Sequence, residues 1–163
     1  MRAEGEVSGI AESNEAPRRV MIVDDEPAIR LLVRRVLERR PGWQVVGEAG
    51  DGWTALEVVE EVRPDVILLD LVMEGPGDKV LPPLLRLAPR CMVAVLSGQD
   101  ADEHRDRLLR LGAFSYYSKK HLLERPDRLE ADYGRFQRAL TGEDVLLPWA
   151  DNPIRNRHTV SGR

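Results

Sequence analysis

The stretch VMIVDDEPAIR, residues 20–30, places four apolar residues directly before three acids and a proline. The apolar run is typical of a buried strand, and Pro27 suits the first position of a helix, where its missing N–H leaves no bond unmade. Adjacent carboxylates repel one another, so Asp24, Asp25 and Glu26 are tolerated where water, a helix N-terminus or a cation compensates their charge. This stretch therefore predicts a strand that ends at a charged site and continues into a helix.

The same alternation of strand and helix recurs along the chain. Five apolar runs are each followed by a helix-like segment, and the runs lie at 20–23, 43–46, 66–69, 92–96 and 114–117. Strands that are nearly all apolar are buried on both faces, which is typical of a parallel sheet covered by helices on its two sides. The pattern predicts a doubly wound α/β fold with five parallel strands flanked by five helices.

Length, charge and cysteine content limit the class of protein. The chain has 163 residues, of which 42% are hydrophobic, and a formal net charge of -4, which favours one soluble domain. A single cysteine, Cys91, excludes an internal disulfide, and no apolar run is long enough to span a membrane. We therefore expect a cytoplasmic protein without membrane contact, and the mild acidity argues against direct binding of nucleic acid.

Composition also indicates where the folded part begins and ends. Residues 1–17 are expected to be a disordered acidic leader, residues 18–141 the domain, and residues 142–163 a tail without its own fold. The tail is too short to form a DNA-binding helix-turn-helix domain with its own core, so output through protein contact is expected. Its apolar segment DVLLPW either docks onto the domain or a partner, or is an incidental cluster.

Polar residues follow the strands at the edge where a parallel sheet carries its chemistry. The residues at the predicted strand ends are Asp24, Asp25, Glu26, Asp70, Ser97 and Lys119. Crowded carboxylate oxygens suit a hard cation such as Mg²⁺, which would leave coordination positions for phosphoryl oxygens. One of the carboxylates could then act as a nucleophile, since acyl phosphates form on aspartate.

These residues resemble the receiver domain of two-component response regulators. The resemblance covers about residues 18–140 and rests on four motifs in register, VDDEP, PDVILLDLVM, VLSG and GAFSYYSK. It implies a flavodoxin-like fold with strand order 2-1-3-4-5. It also implies that Asp70 is the phosphoacceptor, and that Mg²⁺ is held by Asp24, Asp25, Asp70 and the main-chain carbonyl of Val72.

The resemblance further assigns the residues that meet the phosphoryl group. Lys119 would pair with it, Ser97 would bind it, and Ser97 and Tyr116 would form the switch. Lys120 is the alternative to Lys119, which is favoured by its spacing from the preceding Gly-Ala. Tyr116 is otherwise a core residue, with Tyr117 on the opposite face of the strand.

The implied function is that of a stand-alone, chemotaxis-regulator-like signalling module. A histidine kinase or histidine phosphotransfer protein would phosphorylate the chain, and the fourth helix, fifth strand and last helix would present the changed surface to a downstream protein or in a homodimer. No enzyme activity is expected beyond Mg²⁺-dependent self-phosphorylation and self-dephosphorylation. The alternatives are a phosphorylation-independent scaffold and a flavin protein of related fold, and the acidic rim argues against the flavin.

Two positions bear on the lifetime of the phosphorylated form. Val72, two residues after the phosphoacceptor, cannot hydrogen-bond an attacking water, whereas Gln99, two residues after Ser97, can. The sequence therefore predicts slow self-dephosphorylation limited by poor positioning of water.

The chain also departs from the family pattern. Met73-Glu74 replaces the usual Met-Pro and Asp78 a usual glycine, so a different loop shape is expected there. Pro82-Pro83 falls inside the third helix and predicts a late start or a distortion, because each proline removes a donor. Pro126 predicts that the last helix begins later than usual.

Overall fold

The computed structural model describes residues 15–73, 75–98 and 102–143 of the chain. Five long strands and one two-stranded hairpin lie within these ranges. The strands are β1 (Arg18–Val23), β2 (Trp43–Ala49), β3 (Val66–Asp70), β4 (Val72–Met73), β5 (Gly75–Pro76), β6 (Met92–Ser97) and β7 (Ser115–Ser118). The hairpin of β4 and β5 occupies the loop after β3, where the sequence departs from the usual Met-Pro.

Six helices, not the predicted five, lie in the described part of the chain. They are α1 (Pro27–Glu38), α2 (Gly52–Val62), α3 (Gly77–Leu87), α4 (Asp102–Leu111), α5 (Lys119–Glu124) and α6 (Asp127–Leu140). The additional helix arises because Arg125, at φ -133° and ψ 64°, leaves the helical region before Pro126. The last helix begins at Asp127, after Pro126, as the sequence predicts. The short helix α5 lies between β7 and this last helix.

The long strands form one parallel sheet in the order β2-β1-β3-β6-β7. Counted as five long strands, this is the predicted order 2-1-3-4-5, and the doubly wound fold is confirmed. The register sets Val23 beside Leu69, so β1 and β3 end at the same edge. Ser97 is paired with Ser118, which brings the ends of β6 and β7 to that edge as well.

Each face of the sheet has its own apolar core. Alternate residues of β1 point to opposite faces, with Ile22 in the core under α1, α5 and α6, and Met21 in the core under α2, α3 and α4. Close approach of α2 to α3 requires Gly52, because a Cβ there would lie 2.2 Å from a methyl carbon of Val80. The central strands β3 and β6 and residues 20–23 of β1 are therefore buried on both faces, as their apolar composition predicts.

Helix α3 contains both Pro82 and Pro83 in its interior. It begins at Gly77, ahead of the prolines, so the expected late start is wrong. A proline inside a helix costs about 3 kcal/mol, whereas each buried leucine contributes about 1.5–3 kcal/mol. Leu81, Leu84 and Leu85 are almost completely buried along this helix, and their burial offsets the lost hydrogen bonds.

The predicted leader and tail lie largely outside the described residues. Residues 1–14 and 144–163, which hold most of the leader and the DVLLPW segment, belong to those ranges, so both boundaries stay predictions. No helix in the described ranges has the length and apolar character needed to cross a membrane.

Candidate functional site

Three aspartates meet at the carboxyl edge of the sheet. Asp24 and Asp25 follow β1, and Asp70 is the last residue of β3. One carboxylate oxygen from each lies within 4.8 Å of the others. Asp24 and Asp70 are fully buried, whereas Asp25 is exposed, so the cluster opens to solvent on the Asp25 side.

The two buried aspartates have the same local geometry. Asp24 Oδ1 accepts a hydrogen bond from the Glu26 N–H at 2.9 Å, and Asp70 Oδ1 accepts one from the Val72 N–H at 3.0 Å. Each side chain thus bonds the backbone two residues later, which is a local turn that aspartate favours. The second oxygen of each carboxylate, Oδ2, is directed to a common centre.

Lys119 supplies the positive charge at that centre. It is the first residue of α5, directly after β7, and its Nζ lies 2.8 Å from Asp24 Oδ2 and 3.0 Å from Asp70 Oδ2. Glu26 Oε1 lies 3.4 Å from the same Nζ. The alternative, Lys120, is largely exposed and faces Glu124 at 3.9 Å, so the structure places Lys119 and not Lys120 at the cluster.

Burial and neighbouring charges shift two pKa values in the cluster. The pKa of Asp70 is raised, chiefly by burial and also by the charge of Asp24, while the Val72 N–H and Lys119 oppose the rise. Burial alone would lower the pKa of Lys119, but its contacts with Asp24 and Asp70 outweigh burial and raise it. Lys119 is therefore held as an ammonium between two carboxylates.

The donor set fits a hard divalent cation. Asp24 Oδ2 is buried and accepts no hydrogen bond from the described residues, although the Lys119 ammonium lies beside it as an ion-pair partner. One ammonium leaves the three clustered carboxylates with excess negative charge, which a divalent cation would compensate. All the clustered ligand atoms are carboxylate oxygens, which Mg²⁺ prefers.

The other predicted residues occupy different parts of the same edge. Ser97 ends β6 and is buried, and Val72, in the hairpin after Asp70, has 73% of its surface exposed. Tyr116 is half-buried against the core under α2, α3 and α4. Tyr117 lies in the opposite core, as predicted from strand alternation. Gln99 lies outside the described residues.

Sequence comparison identifies the family. The response regulator receiver domain profile matches residues 20–130, and the chain belongs to this family. It is 42% identical to the nitrate/nitrite response regulator protein NarP of Escherichia coli over 104 residues, which are 63% of this chain and 48% of NarP. The chain thus spans about half the length of this curated relative.

Solved structures agree with the fold. A LuxR-family two-component response regulator from Aurantimonas sp. SI85-9A1 superposes with a TM-score of 0.68 at 28% identity, covering 73% of this chain and 86% of the other. The signal receiver domain of NarL from Mycobacterium tuberculosis superposes with a TM-score of 0.65 at 31% identity, covering 74% and 99%. The chain is therefore a response regulator receiver domain of the kind found in two-component systems.

Some contacts of the site were not predicted from the sequence. The sequence predicts Glu26 at a strand end but assigns it no function, and in the structure its carboxylate approaches Lys119. Arg30 was not singled out, yet its Nη1 donates to the main-chain carbonyl of Asp24 at 2.7 Å. Glu26 directly follows the acidic pair, and that proximity is the signal that could have indicated it, whereas Arg30 lies five residues after Asp25 and has no such local signal.

Proposed function

We propose that this chain is a phosphoacceptor module in which Asp70 receives a phosphoryl group from a histidine kinase or histidine phosphotransfer protein. The observation that carries the proposal is the convergence of Asp24 Oδ2 and Asp70 Oδ2 on the Lys119 ammonium, at 2.8 and 3.0 Å. Family membership supports it, because the three residues stand in the motifs that match the receiver pattern. We also propose that the protein acts downstream through contact with another protein.

The proposed step is an in-line phosphoryl transfer. A carboxylate oxygen of Asp70 forms a bond to phosphorus while the bond from phosphorus to the donor imidazole nitrogen breaks, and the imidazole keeps the electron pair. Asp24, Asp25, Asp70 and the Val72 carbonyl would hold Mg²⁺, and the ion would supply positive charge for the phosphoryl oxygens. Lys119 would stabilise the same oxygens, and it opposes the rise that burial causes in the pKa of Asp70.

The proposed switch follows from the new charge on Asp70. The phosphoryl oxygens attract the hydroxyl of Ser97 at the end of the neighbouring strand, and Tyr116 moves into the space that this shift opens. The half-buried position of Tyr116 supports a side chain with two available arrangements. The surface of α4, β7 and α6 would then be read by a protein partner or a second copy of the chain.

Labelling with acetyl phosphate tests the proposal. In the presence of Mg²⁺ we expect the native chain to gain the mass of one phosphoryl group, and Asp70→Asn to gain none. Asp106→Asn, which removes an exposed aspartate of α4, is the matched control and should label at the native rate. Equal labelling of Asp70→Asn would place the phosphoacceptor at another residue, and a folded native chain that does not label would favour the phosphorylation-independent scaffold.

A further inference from the structure

Arg30 reaches back from α1 to the acidic turn. Its side chain is partly buried, and Nη1 donates to the main-chain carbonyl oxygen of Asp24 at 2.7 Å. A hydrogen bond from a charged donor is shorter and stronger than one between neutral groups. Arg30 therefore restrains the backbone at the residue whose side chain enters the centre of the site.

The other contacts of the turn come from β2, from within the turn itself and from Lys119, whose Nζ lies 2.8 Å from Asp24 Oδ2. The Asp24 N–H donates to the Ala49 carbonyl at 3.0 Å, and the Glu26 N–H donates to Asp24 Oδ1 at 2.9 Å. Glu26 is the N-cap of α1, and its side chain makes no capping hydrogen bond. The direction of the Asp24 and Asp25 carboxylates thus depends on a few bonds, one of which comes from Arg30.

The Arg30 guanidinium also lies against a second turn of the same edge. A Cβ on Gly50, between β2 and α2, would lie 3.7 Å from its Nη1. Arg30 forms no ion pair with a carboxylate of the described residues, whereas Arg34, one turn later, pairs with Glu38 and Glu48. The contacts of Arg30 are consequently with the backbone of the site and not with an acidic side chain.

We infer that Arg30 is a positioning residue for the metal-binding carboxylates of Asp24 and Asp25. The inference rests on the proposed function, since it concerns the Mg²⁺ site of the phosphoacceptor. Groups that orient metal ligands change metal affinity about tenfold or more when removed. Without the Arg30 hydrogen bond the turn has more conformational freedom. Mg²⁺ must then order the turn as it binds, and this cost lowers the affinity for Mg²⁺.

A competing effect has the opposite sign. Removing a positive charge near an acidic cluster makes the local potential more negative, which by itself tightens Mg²⁺ binding. Arg30→Met removes both the donors and the charge, whereas Arg30→Lys keeps the charge on a shorter side chain that reaches the Asp24 carbonyl poorly. The two variants therefore separate positioning from electrostatics.

The test measures Mg²⁺ dissociation constants by calorimetry for the native chain, Arg30→Met, Arg30→Lys and the control Arg35→Met. Arg35 is an exposed residue of the same helix. We expect binding to weaken about tenfold in Arg30→Met and at least as much in Arg30→Lys, which keeps the charge but reaches the Asp24 carbonyl poorly, with Arg35→Met at the native value. In acetyl phosphate labelling, Arg30→Met should need more Mg²⁺ for half-maximal rate and recover the native rate at saturation, a split that a general loss of stability does not produce.

Native or tighter Mg²⁺ binding by Arg30→Met overturns the inference and leaves the proposed function intact. If Arg30→Met does not fold, Arg30→Lys decides, and native affinity in that variant overturns the inference. A native chain that binds no Mg²⁺ overturns the proposed function together with the inference.

Discussion

At the scale of single residues, the site depends on the different contacts that the two carboxylate oxygens of each buried aspartate make. In Asp24 and Asp70 one oxygen fixes the turn after the strand, and the other enters the shared centre. The turn hydrogen bond sets the side-chain rotamer, so the second oxygen is oriented before any ligand arrives. Such preorganisation is what gives a charged group its largest effect on a reaction.

Replacing Val72 with Asn should speed decay of the phosphorylated form. Val72 lies two residues after Asp70 and is 73% exposed, so an amide there is tolerated and can hold an attacking water. A hydrogen bond of about 1 kcal/mol in the transition state corresponds to roughly a fivefold faster rate. The measurement is loss of the phosphoryl group over time after removal of acetyl phosphate.

Val72→Ala is the control for this substitution, because it changes the side chain without adding a hydrogen-bonding group. Its decay should match the native chain. Decay of Val72→Asn at or below the native rate would show that positioning of water by this residue does not limit the reaction.

Residues at strand ends were predictable from the sequence, whereas contacts that depend on side-chain reach were not. Asp24, Asp70 and Lys119 follow apolar runs, and parallel strands bring such ends to one edge. Arg30 lies inside a helix, and no neighbouring sequence feature indicates its role. The contact of Arg30 with the Asp24 carbonyl depends on the orientation of α1 relative to the end of β1. The pattern of apolar residues does not specify this orientation.

At the scale of elements, a buried carboxylate connects α6 to the sheet. Asp132 accepts hydrogen bonds from Ser115 Oγ at 2.7 Å, from the Tyr117 hydroxyl and from Arg135 Nη1 at 3.2 Å. Burial and the Asp132 carboxylate raise the pKa of Tyr117. The hydroxyl thus remains a donor across the pH range in which the protein functions, and α6 is held to β7 by a polar contact within the core.

Tyr117→Phe should lower the free energy of unfolding by about 1–3 kcal/mol, because it leaves a buried carboxylate short of a donor. Urea unfolding measures the loss. In Asp132→Asn the same tyrosine change should cost less, since an amide oxygen is less costly to leave unpaired than a carboxylate. Equal losses in the two backgrounds would mean that the contribution of the Tyr117 hydroxyl does not depend on the Asp132 carboxylate.

The elements also show where local sequence rules fail. Asp132 was not predicted as a contact, although it lies beside the buried face of α6 that carries Leu129 and Phe136. A polar residue at that position indicates a partner, but the pattern does not tell which one. In α3 the expected late start is wrong because burial of the helix, a tertiary effect, outweighs local propensity, while the alternative of a distorted helix stays a prediction.

At the scale of the whole molecule, an apolar fold holds a charged cluster at one edge. The long strands are buried between two cores, while Asp24, Asp25 and Asp70 bring three carboxylates toward one Lys119 ammonium. The cluster has excess negative charge without a metal, and this repulsion opposes folding. Stability of the whole domain should consequently respond to Mg²⁺.

Thermal unfolding with and without Mg²⁺ measures that response. A ligand that binds only the folded state at a hundredfold excess over its dissociation constant adds about 2.7 kcal/mol of stability, which raises Tm by several degrees. In Asp24→Asn, the turn contact with the Glu26 N–H can persist while one negative charge is removed. That variant should melt at or above the native temperature without Mg²⁺ and gain little when Mg²⁺ is added. Asp106→Asn should keep the native response, and a full Mg²⁺ response in Asp24→Asn would place the metal away from this carboxylate.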